Sequence, residues 1–430
     1  MRRRLLTSLM MTAFIGVSLL PVQPARADDR AATDDPCVET FNEHTLVPQA
    51  PSFIAQLGMN DAWRLSEGNV LVAVVDSGVD ASNPHLAGGT VIAGKDFVGQ
   101  TDGRIDVSGH GTAVAGEIAA RRIEGSGVVG IAPQSRILPV RVYESNDPQT
   151  VEDGHGPDSR VTAEGIRWAA DQGAVIIAVP LSSPTPSPEL ESAVRYAKDR
   201  GSLVVASAGN VDAANDSGAN TIRYPAAYPE VLSVTAVDDT GLPSDNVVAG
   251  THVEVAAPGG KVLTTYKSYG DCVLAPDAPT ASYATGYAAG LAALVASAYP
   301  SESVAEWEYR ILATALRTNA ARKSDRLGWG IIAPYDALTF TNDGTALGPD
   351  NPKYPRGEKT VEPLMIRPAP LVDHSGAHRR LVLVITGAGS ALVAAVLLVS
   401  WMRRRQWGPH ASENASPIQS RVTHSSTALD

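Results

Sequence analysis

Short apolar runs alternate with longer, partly apolar segments along the central part of the chain. The strand-like runs are residues 70–75, 137–142, 174–179, 203–206 and 231–237. The helix-like segments are residues 112–122, 161–172, 188–199 and 284–298. This alternation predicts an α/β fold in which helices cover both faces of a mostly parallel sheet. In such a sheet, candidate chemistry is expected at the carboxyl ends of the strands.

Two apolar stretches fall outside this alternation. Residues 1–27 combine three arginines, an apolar run over 5–20 and an Ala-x-Ala site at 25–27, a pattern typical of a cleaved secretory signal peptide. Residues 381–402 contain no charge and are long enough to span a bilayer as one helix. A cleaved signal predicts that residues 28–380 are extracytoplasmic and that the tail, 403–430, remains in the cytoplasm. We therefore expect a single-pass protein of the cell membrane.

The remaining segments divide into an extension, a main domain and a linker. Residues 28–61 form an N-terminal extension, and the pattern over 54–65 predicts a short amphipathic helix that leads into the first strand. The part before that helix is either a segment that wraps around the domain or an inhibitory propeptide, and its shortness favours the wrap. Residues 342–380 are rich in Pro, Gly and charge, as in a linker. The main domain is accordingly assigned to residues 62–341.

Composition narrows the classes of function. The 430-residue chain has a formal net charge of −11, and the predicted signal peptide carries four arginines and no acid. The remaining chain is thus more acidic still, which argues against a nucleic-acid partner. Cys37 and Cys272 are the two cysteines, and in an exported chain they suggest one disulfide. They cannot build a cysteine zinc site, and no HExxH motif occurs, so neither metal nor other cofactor is expected.

Three motifs carry candidate chemistry. VAVVDSGVD at 72–80 is an apolar strand that ends in Asp76, and SGHGTAVAG at 108–116 places His110 at the start of a small-residue helix. TASYATGYAAG at 280–290 places Ser282 at the mouth of an Ala-rich helix, where unpaired N–H groups favour an oxyanion. Taken alone, Ser282 is better explained as an N-cap serine. The order Asp76, His110, Ser282, however, is one of the arrangements of the acyl-transfer triad.

These motifs resemble the active-site blocks of the subtilisin-like serine proteases, the subtilases. Four further segments resemble subtilase blocks and occur in the order usual for the family: VASAGN at 205–210, YPAAYPEVLSVTAV at 224–237, APG at 257–259 and LGWGIIAPYDAL at 327–338. The resemblance covers roughly residues 62–339 and implies a subtilisin-like fold that hydrolyses peptide bonds through an acyl-enzyme. It implies Asp76, His110 and Ser282 as catalytic residues and Asn210 as the oxyanion donor. The implied substrate-binding segment is Pro180, Leu181, Ser182 and Ser183.

The chain also departs from the family pattern. The usual Gly-Thr before the serine is Thr280-Ala281, and the usual proline four residues after it is Gly286. The usual Ser-Leu-Gly-Gly is replaced by residues 180–183, and Pro180 has no N–H to donate to a substrate backbone. These departures bear on the level of activity and the choice of substrate more than on the type of reaction.

Other polar residues offer alternative interpretations. His85, in NPHL, is an alternative base but lacks the helix start that follows His110. Asp102 and Asp106 lie close to His110 in sequence and are candidate cation ligands, although solvated loop acids are the favoured interpretation.

The layout as a whole is similar to that of the mycosins, membrane-anchored subtilases of type VII secretion. The segments LG-x-x-x-AW at 57–63 and GWG-x-x-x-PY-x-AL at 328–338 add to this resemblance. It implies that the chain cleaves selected secreted proteins or peptides and supports membrane components of a type VII secretion system. Two alternatives remain open: a mainly structural role in the secretion complex, or a general cell-surface subtilase unconnected with secretion.

Overall fold

A seven-stranded parallel sheet forms the centre of the larger part of the chain. The computed structural model describes residues 37, 44–211, 222–355 and 375–406, and contacts group the chain into two units, Met1–Gly357 and Glu358–Asp430. The predicted signal peptide, linker residues 356–374 and the tail beyond residue 406 lie outside the described residues. The strands of the sheet are β1 (Leu71–Asp76), β2 (Lys95–Asp96), β3 (Arg136–Arg141), β4 (Ile176–Val179), β5 (Leu203–Ser207), β6 (Val231–Val237) and β7 (Val255–Pro258).

The strand order is β2-β3-β1-β4-β5-β6-β7, and every neighbouring pair is parallel. The predicted α/β architecture with a mostly parallel sheet is therefore confirmed. Asp76 is the last residue of β1 and pairs in register with Arg141 of β3. The first acid of the candidate site thus lies at the carboxyl end of a central strand, as expected for this class of sheet.

Helices cover both faces of this sheet. In unit 1 they are α1 (Phe53–Gln56), α2 (Met59–Ala62), α3 (His110–Ala119), α4 (Pro148–Glu152), α5 (Ser159–Asp171), α6 (Pro188–Asp199), α7 (Ala281–Ala298), α8 (Val304–Thr314) and α9 (Pro334–Thr339). Because side chains alternate between the two faces of β1, Val72 and Val74 pack in the core that also contains residues of α3 and α7. Ala73 and Val75 enter the core shared with α5 and α6.

Helix α7 differs from the surface helices because it is buried on all sides. Fifteen of its 18 residues are buried, which is why its sequence is rich in Ala and Gly and lacks a polar stripe. By contrast, α5 and α6 each have a polar outer face and an ordinary polar N-cap, Asp158 and Ser187. A helix enclosed in this way holds the residues of its first turn firmly in place.

The predicted helix over 54–65 is wrong in its continuity. The structure contains two four-residue helices, α1 and α2, with Gly58 between them at φ 63°. That left-handed conformation suits glycine and ends α1, so the chain turns instead of continuing one amphipathic helix.

A separate antiparallel hairpin holds the N-terminal extension. Its strands are β8 (Val262–Tyr266) and β9 (Gly270–Leu274). Thr45 donates its N–H to Tyr269 O at 2.9 Å and accepts from Asp271 N at 2.8 Å. The predicted disulfide joins Cys37 to Cys272, with 5.9 Å between the Cα atoms. The extension is therefore fixed to the hairpin that precedes α7.

The second unit contains one long helix, α10 (Ser375–Gln406). Within it, Arg379–Arg404 is a 26-residue stretch that is long and apolar enough to cross a membrane by length and composition. It encloses the predicted span, residues 381–402.

Candidate active site

Asp76 is a buried carboxylate surrounded by donors. Its Oδ1 accepts from Ser77 N at 2.7 Å and from the Tyr143 hydroxyl at 3.0 Å. Ser77 Oγ lies 3.0 Å from the same oxygen and 2.8 Å from Asp106 Oδ1, and its one proton is shared between the two acids. His110 Nδ1 lies 2.9 Å from both Oδ1 and Oδ2. The side chain is fully buried, so these donors replace the water that an ionised carboxyl would otherwise need.

His110 is the first residue of α3 and is oriented by Asp76. Because a carboxylate only accepts hydrogen bonds, Nδ1 carries the proton and Nε2 of the neutral ring is the basic nitrogen. Burial lowers the pKa of His110, but the charge and hydrogen bond of Asp76, with the charge of Asp106, outweigh burial and raise the pKa. The Tyr283 ring lies 5.5 Å from the imidazole, centroid to centroid. The arrangement is that of a base whose protonated form is stabilised.

Ser282 lies in the first turn of α7, and its side chain is largely buried. The N-cap of α7 is Thr280, so the interpretation of Ser282 as an N-cap serine is wrong. Ser282 Oγ lies 3.3 Å from Thr280 Oγ1, and the hydrogen bonds found among the described residues include none from Ser282 to His110. Contacts between nucleophile and base are often loose before substrate binds.

Asn210 follows β5 and contacts the start of α7. Its Oδ1 accepts from Ala281 N at 2.8 Å, so its NH₂ group is the part of the amide left to donate. Gly209 precedes it at φ 102°, and a Cβ there would collide with the Arg223 side chain. A glycine is required at this turn, and the turn places Asn210 beside the residue before Ser282.

The segment after β4 borders a surface groove. Leu181, Ser182 and Ser183 line it together with Tyr224 and Pro225. Ser183 exchanges two backbone hydrogen bonds with Tyr224, of 2.8 and 2.9 Å. The backbone of Ser183 is therefore already paired within the protein.

His85 is a structural residue. Its side chain is fully buried, Nε2 lies 2.7 Å from Asp271 Oδ1, and Nδ1 lies 2.6 Å from Arg121 O. Asp271 also accepts from Val47 N at 2.7 Å. His85 thus helps to fix the hairpin and the extension, and the alternative that it acts as the base is wrong.

The two loop acids before His110 differ from each other. Asp102 is partly exposed and pairs with Arg104 at 2.6 Å, as a solvated acid should. For Asp106 that interpretation is wrong, because it is buried and accepts from Ser77 Oγ, Gly109 N and both donors of Thr112 at 2.6–2.8 Å. Asp106 therefore fixes the first turn of α3. Within the described ranges, no group of three His, Cys, Asp or Glu side chains is arranged to bind a metal.

Sequence reasoning missed two residues near this site. Tyr143 gave no signal, because its contact with Asp76 depends on the pairing of β1 with β3. Glu117 gave a signal that was overlooked, an acid inside the small-residue helix α3. It is buried, and among the described residues neither carboxyl oxygen has a hydrogen-bond partner. Burial, and then the charge of Asp76, raises the pKa of Glu117 well above its ordinary value.

Comparison with known proteins places this geometry in a family. The model of the subtilase family matches residues 67–330. Mycosin-3 of Mycobacterium tuberculosis is 35% identical, over 66% of this chain and 70% of that protein.

Two solved structures resemble the chain. The MycP3 protease from the type VII (ESX-3) secretion system is 30% identical, with a TM-score of 0.58, and the match covers 69% of this chain and 92% of that one. A chain of the periplasmic assembly from the ESX-5 inner membrane complex is 27% identical, with a TM-score of 0.59, over 73% of this chain and 90% of that one. The chain therefore belongs to the subtilase family, as a serine endopeptidase related to the mycosins of type VII secretion.

Proposed function

We propose that this chain is a membrane-anchored, extracytoplasmic endopeptidase that processes secreted proteins, with Asp76, His110 and Ser282 as its catalytic residues. The observation that carries the assignment is the contact of His110 Nδ1 with both oxygens of Asp76, at 2.9 Å. The proposal is also supported by the His110 ring, which lies 5.5 Å, centroid to centroid, from the ring of Tyr283, the residue after Ser282 in the first turn of α7. The proposed reaction is hydrolysis of a peptide bond through an acyl-enzyme.

In the first half of the reaction, Ser282 Oγ attacks the substrate carbonyl carbon while His110 Nε2 takes the serine proton. His110 then gives that proton to the leaving amine as the C–N bond breaks, which leaves an acyl ester on Ser282. In the second half, water loses a proton to His110 and attacks the ester, and Ser282 recovers its proton. Asp76 holds the tautomer of His110 and stabilises the imidazolium in both halves.

Asn210 and the backbone N–H of Ser282 are the proposed oxyanion donors. The amide oxygen of Asn210 is occupied by Ala281 N, and this bond sets which end of the amide can donate. The N–H groups of the first turn of α7 have no partner within the helix and lie at its positive end. The proposal requires both donors to point at the oxygen on which negative charge develops, as in electrostatic catalysis.

The proposed peptide-binding strand is residues 180–183. Pro180 cannot donate a backbone hydrogen bond, and the backbone of Ser183 is paired with Tyr224. Leu181 and Ser182 are therefore left as the main-chain contacts for an extended substrate. We expect the chain to rely on side-chain contacts more than a subtilase with the usual Ser-Leu-Gly-Gly.

The proposed domain layout links this site to a membrane. Residues 1–27 are the signal peptide, 28–61 the extension, 62–341 the protease domain, 342–380 the linker, 381–402 the span and 403–430 the cytoplasmic tail. The apolar stretch of α10 supports the span. The similarity to a chain of a periplasmic, inner-membrane assembly supports partners among type VII membrane components.

A strain that carries Ser282→Ala tests the function. Ser233→Ala is a matched control, because Ser233 is a buried serine whose hydroxyl has no partner in the described part of the chain. When both variant proteins are present in wild-type amounts, we expect the N-termini that are created by cleavage of secreted proteins to be lost in the Ser282→Ala strain alone. Unchanged processing in Ser282→Ala, with the secretion complex lost when the whole chain is deleted, would favour the structural role.

A tag after Asp430 tests the orientation. Protease added to intact cells should digest the domain and spare the tag, whereas loss of the tag would reverse the proposed sidedness.

A further inference from the structure

Tyr143 contacts the candidate triad from a strand that carries no triad residue. It lies two residues beyond the end of β3 and is fully buried. The parallel pairing of β1 and β3 continues past the strands, since Val142 donates its N–H to Asp76 O at 2.8 Å. This register places the Tyr143 hydroxyl 3.0 Å from Asp76 Oδ1. The contact is therefore fixed by the backbone of the sheet.

The Tyr143 hydroxyl remains a donor over the whole working range of pH. Burial raises the pKa of Tyr143 well above its ordinary value, and the charges of Asp76 and Asp106 act in the same direction. An un-ionised phenol beside a carboxylate donates its proton to the shared hydrogen bond. Tyr143 is therefore a permanent neutral donor to Asp76.

The base His110 lies among groups from several elements. These are Asp76 of β1, the loop acid Asp106, Glu117 of α3, Tyr143 after β3, Tyr266 of β8, whose hydroxyl donates to Ser108 O, and Tyr283 of α7. On the β3 side, Arg141 is paired with Asp96 at 2.9 Å and also donates to Ser77 O at 3.2 Å. The charges of Asp76 and Asp106 raise the pKa of His110, and a hydrogen-bond donor to Asp76 reduces the part of that effect that comes from Asp76.

We propose that Tyr143 is a positioning residue that fixes the Asp76 carboxylate opposite His110 and weakens the hold of that carboxylate on the imidazole proton. A carboxylate that shares its charge with another donor stabilises a neighbouring imidazolium less. His110 can then lose its second proton, and act as a base, at a lower pH than it could without the tyrosine. This inference rests on the proposed function, because it takes Asp76, His110 and Ser282 as the working triad.

The test is the pH dependence of Ser282 acylation in Tyr143→Phe, which removes one hydroxyl and keeps the ring. The probe is a fluorophosphonate, used on the full-length protein in detergent, so no natural substrate is needed. We expect the midpoint of the acid limb of the labelling rate to rise by about half to one pH unit, the usual scale for one donor to an ionised group. The plateau rate should fall less than about tenfold, since the triad itself is intact.

Tyr309→Phe is the matched control. Tyr309 is a buried tyrosine of α8 whose hydroxyl has no partner among the residues that the structure describes, so its removal should leave the midpoint unchanged. If Tyr143→Phe lowers the melting temperature but labels with the wild-type midpoint, Tyr143 is merely structural and the inference is overturned. A midpoint that moves to lower pH overturns it as well.

A second variant covers the case in which Tyr143→Phe does not fold. Fluorotyrosine at position 143 keeps the shape and makes the hydroxyl a stronger donor, so the midpoint should move slightly to lower pH. A midpoint equal to that of the wild type would contradict the inference. Wild-type protein that is not labelled at any pH would refute the proposed function, and this inference with it.

Discussion

Asp76 and Glu117 are two carboxyl groups with almost the same burial and opposite surroundings. Asp76 has 0% exposure and receives hydrogen bonds from Ser77, Tyr143 and His110. Glu117 has 1% exposure, and within the described chain its carboxyl oxygens receive none. The difference shows that the supply of donors, more than depth, decides whether a buried acid can remain ionised.

This comparison concerns α3 in particular, because that helix carries both Glu117 and the histidine that contacts Asp76. Helix α3 begins with His110, which needs an anion beside it, and carries Glu117 two turns later. Burial and the charge of Asp76 raise the pKa of Glu117 well above its ordinary value, which favours the uncharged form of its carboxyl.

Glu117 also accounts for one departure from the family pattern. A Cβ at Gly286 would overlap the Glu117 carboxyl. The space that a proline ring at 286 would fill in the usual sequence is occupied here by the side chain from α3.

The largest effect is expected when Asp76, the buried acid that receives hydrogen bonds, loses its charge. Asp76→Asn should lower turnover by about 10,000-fold, because an amide no longer favours the required tautomer of His110. Asp102→Asn, at the exposed acid of the neighbouring loop, is the control and should remain near the wild type. Turnover of a small peptide ester by both variants measures this, and a drop of less than tenfold in Asp76→Asn would contradict the role of Asp76.

Asn210 provides a neutral case for the comparison, a polar side chain whose oxygen is held by a single backbone N–H. Asn210→Ala should lower kcat by roughly 100- to 1000-fold, the usual loss for one oxyanion donor. Circular dichroism and the melting temperature serve as the check on folding. A folded variant with unchanged kcat would remove Asn210 from the site.

Gly286→Ala should disrupt the packing around Glu117, the acid whose carboxyl oxygens have no hydrogen-bond partner among the described residues. The added methyl group overpacks against Glu117, and we expect a loss of about 1–3 kcal/mol in the free energy of unfolding. In a Glu117→Ala background the same change should be neutral or should stabilise by up to about 1 kcal/mol, because alanine is the better helix former. Urea unfolding of the four proteins measures the coupling. Equal effects of Gly286→Ala in both backgrounds would show that the two side chains do not share one space.

The pH dependence of the stability of Glu117→Gln tests the difference between Glu117 and Asp76 further. A raised pKa in the folded state means that the contribution of Glu117 to stability is fully present below its unfolded pKa and is lost as pH rises towards the folded pKa. The amide does not titrate. The stability of Glu117→Gln relative to the wild type should thus increase as the pH rises from 5 to 8. A difference that stays constant over this range would mean that Glu117 is ionised at both values.

Local patterns in the sequence were sufficient to predict the parallel sheet, because each apolar run and each flanking helical segment indicates which of its own residues are buried. They were also sufficient to select Asp76, His110 and Ser282 as candidates, since each of these residues lies within a short motif. They failed at Asp106, whose burial depends on Ser77 of another segment, and at Tyr143, whose position depends on strand register. The break at Gly58 depends on a backbone angle that an amphipathic pattern does not report.

The most direct test of the account is whether Ser282 is an activated nucleophile. Full-length protein in detergent is treated with a fluorophosphonate, and the modified residue is identified by mass spectrometry. We predict a single label, on Ser282, that is absent in Ser282→Ala and strongly slowed in His110→Ala. Folded wild-type protein without a label, or a label that persists in Ser282→Ala, would contradict the account.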